Sequence, residues 1–566
     1  MKKIIGLTLG NCVHVAGTMN YLGLAEKENY KTEFVGIGIS MEKLIKIVED
    51  KKPDIVGLSY RLSPEPLNRI LKDLKENIET NESLKDIVWL FGGTEPTALV
   101  AEKYNIFDKI FYGNEDIDEV IAYIKGQENS EEEIYPDSLI ERIDSKYPYP
   151  ILRHHLGLTS KEETIEAIEK IADSKVLDVI SIAPDQNAQE FFFDQENMDE
   201  SLSGAGGVPI RDEKDLRDLY NAARRGNYPL LRSYSGTKNI LKFAEVLRNT
   251  INNAWCAIPL FWYSELDKRG PRTLKDAIIE NQQVMAWHGE KDIPVEVNDP
   301  HHWSLRDAHD AIGVAAAYLA AYNAKRMGVK NYIAQFMFNV PAYISAENDL
   351  GKMLAKIELI ENLQDENFNI YRQARAGLAS FPADLYQAKG QLAASAYLAM
   401  AIKPHIYHVV GFCEAHHAAG AEDVIESCKI VRGIIKNEFL GSINLAGDMN
   451  VQERKRELIE EAEIILDGIR LLNKGAEDPL SDPDTLVRAV ESGILDAPQL
   501  KGNSVARGEL KTRMVQSALF AYNEEDAGII PEKERIETIL ENAGLRHLGT
   551  DRINGALCRG GPVCPP

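Results

Sequence analysis

The sequence has no long apolar run: nowhere do hydrophobic residues continue for the roughly eighteen positions that cross a bilayer. The opening MKKIIGLTLG reads as a strand with two lysines rather than a cleavable signal, so the expected compartment is the cytoplasm. Cysteine is scarce. The six, at 12, 256, 413, 428, 558 and 564, form no C-x-x-C pair and suggest neither a disulfide framework nor a zinc site. Positive charge is also short, with 64 Lys and Arg against 88 Asp and Glu, a formal charge of −24. Such a surface repels nucleic acid and anionic membranes, and neither is expected as a partner. What is present is the make-up of a globular enzyme, 44% hydrophobic and 27% charged. At 566 residues the chain exceeds one compact core, and about two to four domains are expected.

Residues 4–17, IIGLTLGNCVHVAG, read as an apolar strand entering a glycine-containing turn that presents His14. In a βα unit that turn lies at the carboxyl edge of a parallel sheet, where open α/β folds bind ligands. Further apolar runs at 34–39, 54–59 and 87–93 alternate with helical patterns at 41–49 and 67–76. The order His14-x-x-Gly17, then Ser59, then Gly92-Gly93 resembles the cobalamin-binding domain of B12-dependent mutases and methyltransferases. The resemblance implies a flavodoxin-like domain over residues 1–126, with His14 below cobalt as the metal ligand. It further implies Gly17, Ser59, Gly92 and Gly93 around the nucleotide tail. Cys12 stands where the family signature has aspartate, and a thiol orients an imidazole less well than a carboxylate does.

The acidic run QENSEEEIYPDS leads a linker assigned to residues 127–146. From 147 the pattern alternates helices with short β-rich runs, at 178–183, 229–233, 257–263, 294–298, 332–338, 371–378 and 405–412. This predicts a (β/α)8 barrel over 147–450, whose eighth strand is either SINLA at 442–446 or a piece near the barrel's start. A helical, turn-rich cap is assigned to 451–566. Barrel enzymes hold their chemistry at the carboxyl ends of the strands. The candidates there are Asp185, Arg232, Tyr234, Tyr263, Glu265, Asn298, Asp299, His301, Asn339, Arg372, Arg375 and Glu414. The pairs His301-His302 and His416-His417 are read as hydrogen-bonded loop residues before metal ligands.

Residues 273–299, 309–336, 405–435 and 485–514 resemble the epsilon subunit of glutamate mutase (methylaspartate mutase), with a cobalamin domain fused in front. By that resemblance Glu414 contacts the adenosyl ribose, Tyr263 is an active-site tyrosine and Arg232 lies near a substrate-gripping arginine. The family's lysine four residues before the glutamate is Val410 here, and its arginine near GAGGVPIRDE is missing. Amino-diacids need bidentate arginine contacts, so glutamate itself is not the expected substrate.

The resulting expectation is an adenosylcobalamin-dependent radical isomerase acting on a small acidic molecule. Arg232, Tyr263 and Asp299 would grip substrate, and Glu265, Asp299 and His301 are eligible for acid–base work. The alternatives are a methyltransferase using methylcobalamin or another corrinoid, and a non-catalytic corrinoid carrier or sensor. A small-molecule substrate is the expected partner, with a homodimer as the one assembly considered.

Overall fold

The computed structural model describes residues 2–113, 115, 117–126 and 134–545. It divides into two compact units, 1–134 and 135–566. Residues 127–133 of the acidic run and the terminal CRGGPVCPP lie outside the described residues. Among those described, no helix is long and apolar enough to cross a membrane.

The first unit is a five-stranded parallel sheet of β1 (Lys3–Leu9), β2 (Lys31–Ile39), β3 (Ile55–Tyr60), β4 (Val88–Gly93) and β5 (Lys109–Phe111). Its order, β2-β1-β3-β4-β5, is the flavodoxin-like one, which places a topological switch point between β1 and β3. Alternation along β1 decides what each face holds. Ile5, Leu7 and Leu9 pack with Leu44, Leu67 and Leu71 from the helices Met41–Lys51 and Pro64–Thr80. Ile4 packs with Leu22 and Ala25 of the helix Ala16–Lys27 on the other face.

The second unit carries eight parallel strands: β6 (Ile151–Leu156), β7 (Val179–Ile182), β8 (Leu230–Ser233), β9 (Cys256–Ile258), β10 (Val295–Val297), β11 (Asn331–Phe338), β12 (Asn369–Ala376) and β13 (Ile406–His408). Their order runs from β8 through β7, β6, β13, β12, β11 and β10 to β9, a nearly closed barrel. The two end strands meet along a seam. There the Ala254 N–H donates to the Leu231 carbonyl at 2.9 Å. The Asn253 side chain takes the place of a strand, accepting from the Ser233 N–H and donating to the Trp255 carbonyl, both at 3.0 Å.

The missing strand was therefore ILRHHL at the barrel's start, and SINLA is not a strand: its end forms the 3-10 turn Leu445–Gly447. Every strand expected from 178 onward moves up one place in the barrel. The later part of the expected linker is also ordered. Leu139–Lys146 is a helix whose Leu139 and Ile143 pack beneath the barrel on Ile151, Val179, Leu230, Trp255, Ile333 and Ile406. Its apolar spacing closes the amino-terminal end of the barrel, which the acidic residues before it obscure.

The cap is continuous with the barrel core, since Leu458, Ala462, Ile465 and Ile536 belong to the same apolar cluster as the barrel helices. Buried ion pairs fix it further. Asp310 accepts from Lys352 at 3.2 Å, from Arg454 at 3.1 Å and from the Leu519 N–H at 3.3 Å. In the helix Glu532–Asn542, Arg535 grips Glu532 at 2.8 and 2.7 Å and also donates to the Gly493 and Ile494 carbonyls. His309 adds a contact to Glu532 at 3.0 Å. Burial opposes the Glu532 charge, yet Arg535 and His309 outweigh it and hold the carboxyl at about 2.

This arrangement fixes a pH dependence. A carboxylate whose folded pKa is depressed stabilises the protein above its unfolded value, about 4.3, and loses that contribution as pH falls towards the folded one. Glu532→Gln should cost about 3–5 kcal/mol in urea unfolding at neutral pH, because it strands a buried guanidinium. The difference from the unsubstituted chain should shrink as the pH drops from the unfolded glutamate value towards 2.

Candidate functional site

Each unit carries a cavity. In the first unit, positions lacking side chains make a floor on the face of the sheet that carries the helix Ala16–Lys27. Gly6 pairs with Gly57 across β1 and β3, and Ser59 pairs with Gly92 across β3 and β4. A β-carbon on Gly6 would come within 2.7 Å of Thr18, so this glycine lets the helix lie close. A β-carbon on Gly92 would meet nothing within 4 Å, because Gly92 opens into a groove of about 400 Å³. Gly17, Asn20, Tyr21, Ser59, Arg61, Gly93 and Tyr112 are among its walls. The Thr18 hydroxyl in the groove is buried without a hydrogen-bond partner among the described residues. A long, mainly apolar ligand arm with occasional polar atoms fits this floor, this volume and this waiting hydroxyl.

Of the residues singled out from the sequence, Gly17, Ser59, Gly92 and Gly93 come together around the groove. His14 does not line it. It is exposed in the turn after β1, with its Nδ1 3.7 Å from the buried Cys12 sulfur. Thr8 donates to the Cys12 carbonyl and accepts from the Gly38 N–H at 2.9 Å, pinning the turn that carries the histidine.

In the second unit the inward positions of the strands form layers. The lowest is apolar: Ile151, Val179, Leu230, Trp255, Ile333 and Ile406. Two residues further along their strands stand Arg153, Ser181, Arg232, Gln335 and His408, with Glu296 on β10, all buried. Arg153 donates to Ser181 Oγ and to His408 Nδ1, both at 2.8 Å, so that nitrogen is an unprotonated acceptor. Glu296 accepts from Trp255 Nε1 and Gln335 Nε2 at 2.8 Å each and lies 3.6 Å from Arg232. Burial would raise the Glu296 pKa, but Arg232 and Arg153 pull it below the ordinary carboxylate value.

Above this layer opens a cavity of about 470 Å³ at the carboxyl ends of the strands. Arg153, Arg232, Arg269, Arg306 and Arg375 line it, whereas Glu296 is the single carboxylate among its described lining residues. Arg269 is paired with Asp267 at 3.0 Å, and Arg306 stacks on Trp262 at 4.1 Å. Arg232 Nε and Nη1 and Arg153 Nε have no hydrogen-bond partner among the described residues. His155 is half-buried among arginines; desolvation, then Arg153, Arg232 and Arg375, push its pKa well down, so it is a neutral base. Its Nε2 meets the Tyr234 hydroxyl at 3.1 Å. His301 and His302 are likewise held neutral, chiefly by burial. Tyr263 has φ of +59°, a strained setting for a bulky residue, and burial raises its phenol to about 12.

Arg232, Tyr263 and His301 thus converge on the barrel cavity. Asp299 does not reach it. Its carboxylate accepts the Leu260 and Phe261 N–H groups, the latter at 2.9 Å, and so ties the loop after β9; burial raises its pKa to about 7. Glu265 instead accepts the Leu274 N–H at 2.8 Å, at the start of the helix Leu274–Glu290. Glu414 is exposed beyond β13 and outside the lining; partial desolvation raises its carboxyl pKa, and the Arg375 charge opposes that shift. Sequence reasoning missed Arg153, His155, Glu296 and Gln335. The available signal was period-two placement of polar residues in buried strands, as in ILRHHL and VEV.

Residues 2–122 match the family model described as the B12 binding domain, and no curated protein matches the chain. Similar solved structures include a cobalamin-binding protein from Desulfitobacterium hafniense DCB-2, 18% identical with a TM-score of 0.19. That match covers 22% of this chain and 56% of the other. The cobalamin-dependent S-adenosylmethionine radical enzyme OxsB is 13% identical with aqua-cobalamin and S-adenosylmethionine bound, covering 86% of this chain and 70% of the other at a TM-score of 0.18. With aqua-cobalamin alone it is 11% identical, covering 84% and 67% at the same TM-score. The N-terminal unit of this chain is a B12-binding domain.

Proposed function

We propose that the chain is a cobalamin-dependent radical isomerase of the carbon-skeleton mutase or aminomutase class, acting on a small acidic substrate in the barrel cavity. The observation that carries this reading is the surplus of guanidinium groups in that cavity: five line it, Arg269 is met by Asp267, and the other four face the single lining carboxylate of Glu296. Buried charge is costly unless it is met, and a bound dianion would offset most of this surplus. Arg232 and Arg153, with free donor positions, would take one carboxylate, and Arg375 across the cavity the other. His155 and His301, both neutral, are the groups able to hold or pass a proton at the substrate, and Tyr263 stays a donor at neutral pH. Bound adenosylcobalamin would supply radicals by homolysis of its cobalt–carbon bond.

In the first unit, Gly17, Ser59, Gly92 and Gly93 would receive the nucleotide tail, and His14 would ligate cobalt from below. Glu414 would meet the adenosyl ribose. A methyltransferase is the second reading, favoured by one observation: the position four before Glu414 is the buried, apolar Val410. Methyl transfer needs no adenosyl pocket there.

Three measurements test these statements. Gly92→Leu should abolish corrinoid uptake by the full chain, read by absorbance, while leaving thermal unfolding unchanged, because the new side chain fills open space. Uptake by the variant equal to that of the unsubstituted chain would remove the groove from consideration. Arg232→Met should lower kcat/KM for an acidic substrate by about 2–5 kcal/mol, or roughly 30- to 5,000-fold, with Arg375→Gln as the companion should the first variant unfold. Anaerobic incubation with adenosylcobalamin and candidate dicarboxylates should give a cobalt-coupled organic radical signal by electron paramagnetic resonance. Transfer of a methyl group without that signal would establish the second reading instead.

A further inference from the structure

The loop leaving β13 reads Cys413-Glu414-Ala415-His416-His417, and Asp423 lies in the first turn of the following helix, Ala421–Leu440. Ligand atoms of Cys413, His417 and Asp423 all lie within 4.8 Å of one another. A thiol, an imidazole and a carboxylate form a donor set that suits zinc. A fourth donor comes from β6, where His154 is only 5% exposed.

The Nδ1 of His154 contacts the His155 carbonyl, which can only accept, so Nδ1 carries the proton and Nε2 offers a lone pair. That Nε2 is buried with no hydrogen-bond partner among the described residues. It lies on the Cys413 side of the cluster: a β-carbon on Gly411 would lie 3.2 Å from His154 Nε2 and 3.3 Å from Cys413 Sγ. Glycine at 411 therefore leaves open the space between sulfur and imidazole. His417 repeats the pattern, with Nδ1 2.9 Å from His416 Nδ1 and Nε2 3.3 Å from Asp423 Oδ2. The latter spacing is the edge of a tetrahedron whose metal–ligand bonds are about 2.0 Å. The Gly420 N–H holds the same Asp423 oxygen at 3.0 Å. Engagement of the second ring nitrogen is what orients metal-ligating histidines.

We propose that His154, Cys413, His417 and Asp423 bind one zinc-type divalent cation. Four protein ligands close the coordination sphere, so the ion would be structural, tying the loop that carries Glu414 to the strand that carries His155. Binding converts the Cys413 thiol to a thiolate and releases its proton to solvent, with no change of oxidation state. The site is independent of the corrinoid reading, since all four residues lie in the second unit.

The test uses the full chain prepared without corrinoid, stripped with chelator and reloaded with zinc. One zinc per chain is expected by mass spectrometry. Absorption at the zinc edge should report one sulfur at about 2.3 Å with nitrogen or oxygen ligands at about 2.0 Å. Cobalt in any residual corrinoid absorbs at another edge and does not interfere. His417→Ala removes a side chain that is 41% exposed and should leave the fold intact while lowering zinc affinity at least about tenfold. Gly411→Ala should also lower it, by placing a methyl group between sulfur and imidazole. Zinc uptake that is absent, that lacks a sulfur neighbour, or that persists unchanged in His417→Ala overturns the proposal.

Discussion

One carboxylate, Glu296, sets the terms for the interior of the barrel. Burying Arg153 and Arg232 to 1% exposure is costly unless their charge is met, and Glu296 meets it from the middle of β10 while held by Trp255 and Gln335. Trp255 serves both sides of this boundary. Its ring belongs to the apolar floor, yet Arg232 lies 4.9 Å and Arg153 5.6 Å from it, so cation–π attraction adds to the ion pair. A single negative charge cannot balance the guanidinium groups above it. The remaining positive potential faces the cavity, in a low-dielectric setting where attraction for an anion is stronger than in water.

The two units shape their cavities by opposite means. The B12-binding domain removes side chains, so that Gly6, Gly57 and Gly92 bare the sheet and leave a groove. The barrel adds charged side chains and holds them rigid on strands. Rigid strands suit recognition, since donors fixed in place lose little freedom when a ligand arrives.

Much of this architecture was legible in the sequence because the relevant signals are local. Strand–turn–helix order with glycine at the strand ends marked the first unit, and seven of the eight barrel strands stood out as short β-rich runs between helical patterns. The strand ILRHHL did not, because three of its six residues are cationic or polar. Two of those polar residues line the barrel cavity: Arg153 and His155 point inward, and His154 lies on the opposite side. Glu265 and Asp299 show the converse failure. Acidic residues just after barrel strands invite a catalytic reading, but a carboxylate is also the natural acceptor for loose N–H groups where a loop turns or a helix starts. Only the three-dimensional partners separate these uses. Glu296 was hidden for a related reason, since an acid between two valines reads as part of an alternating strand until the arginines on β6 and β8 are seen beside it.

The seam between β8 and β9 differs from the other junctions of the barrel in resting on a side-chain amide, Asn253, and the Ala254 N–H in place of a strand ladder. Arg232 on β8 and Glu296 on β10 face each other across that weak junction. An anion seated on Arg232 would therefore act as a clasp as well as a guest. Breathing of the staves would be greatest when the cavity stands vacant, and occupancy would be felt as slower amide exchange on both sides of the joint.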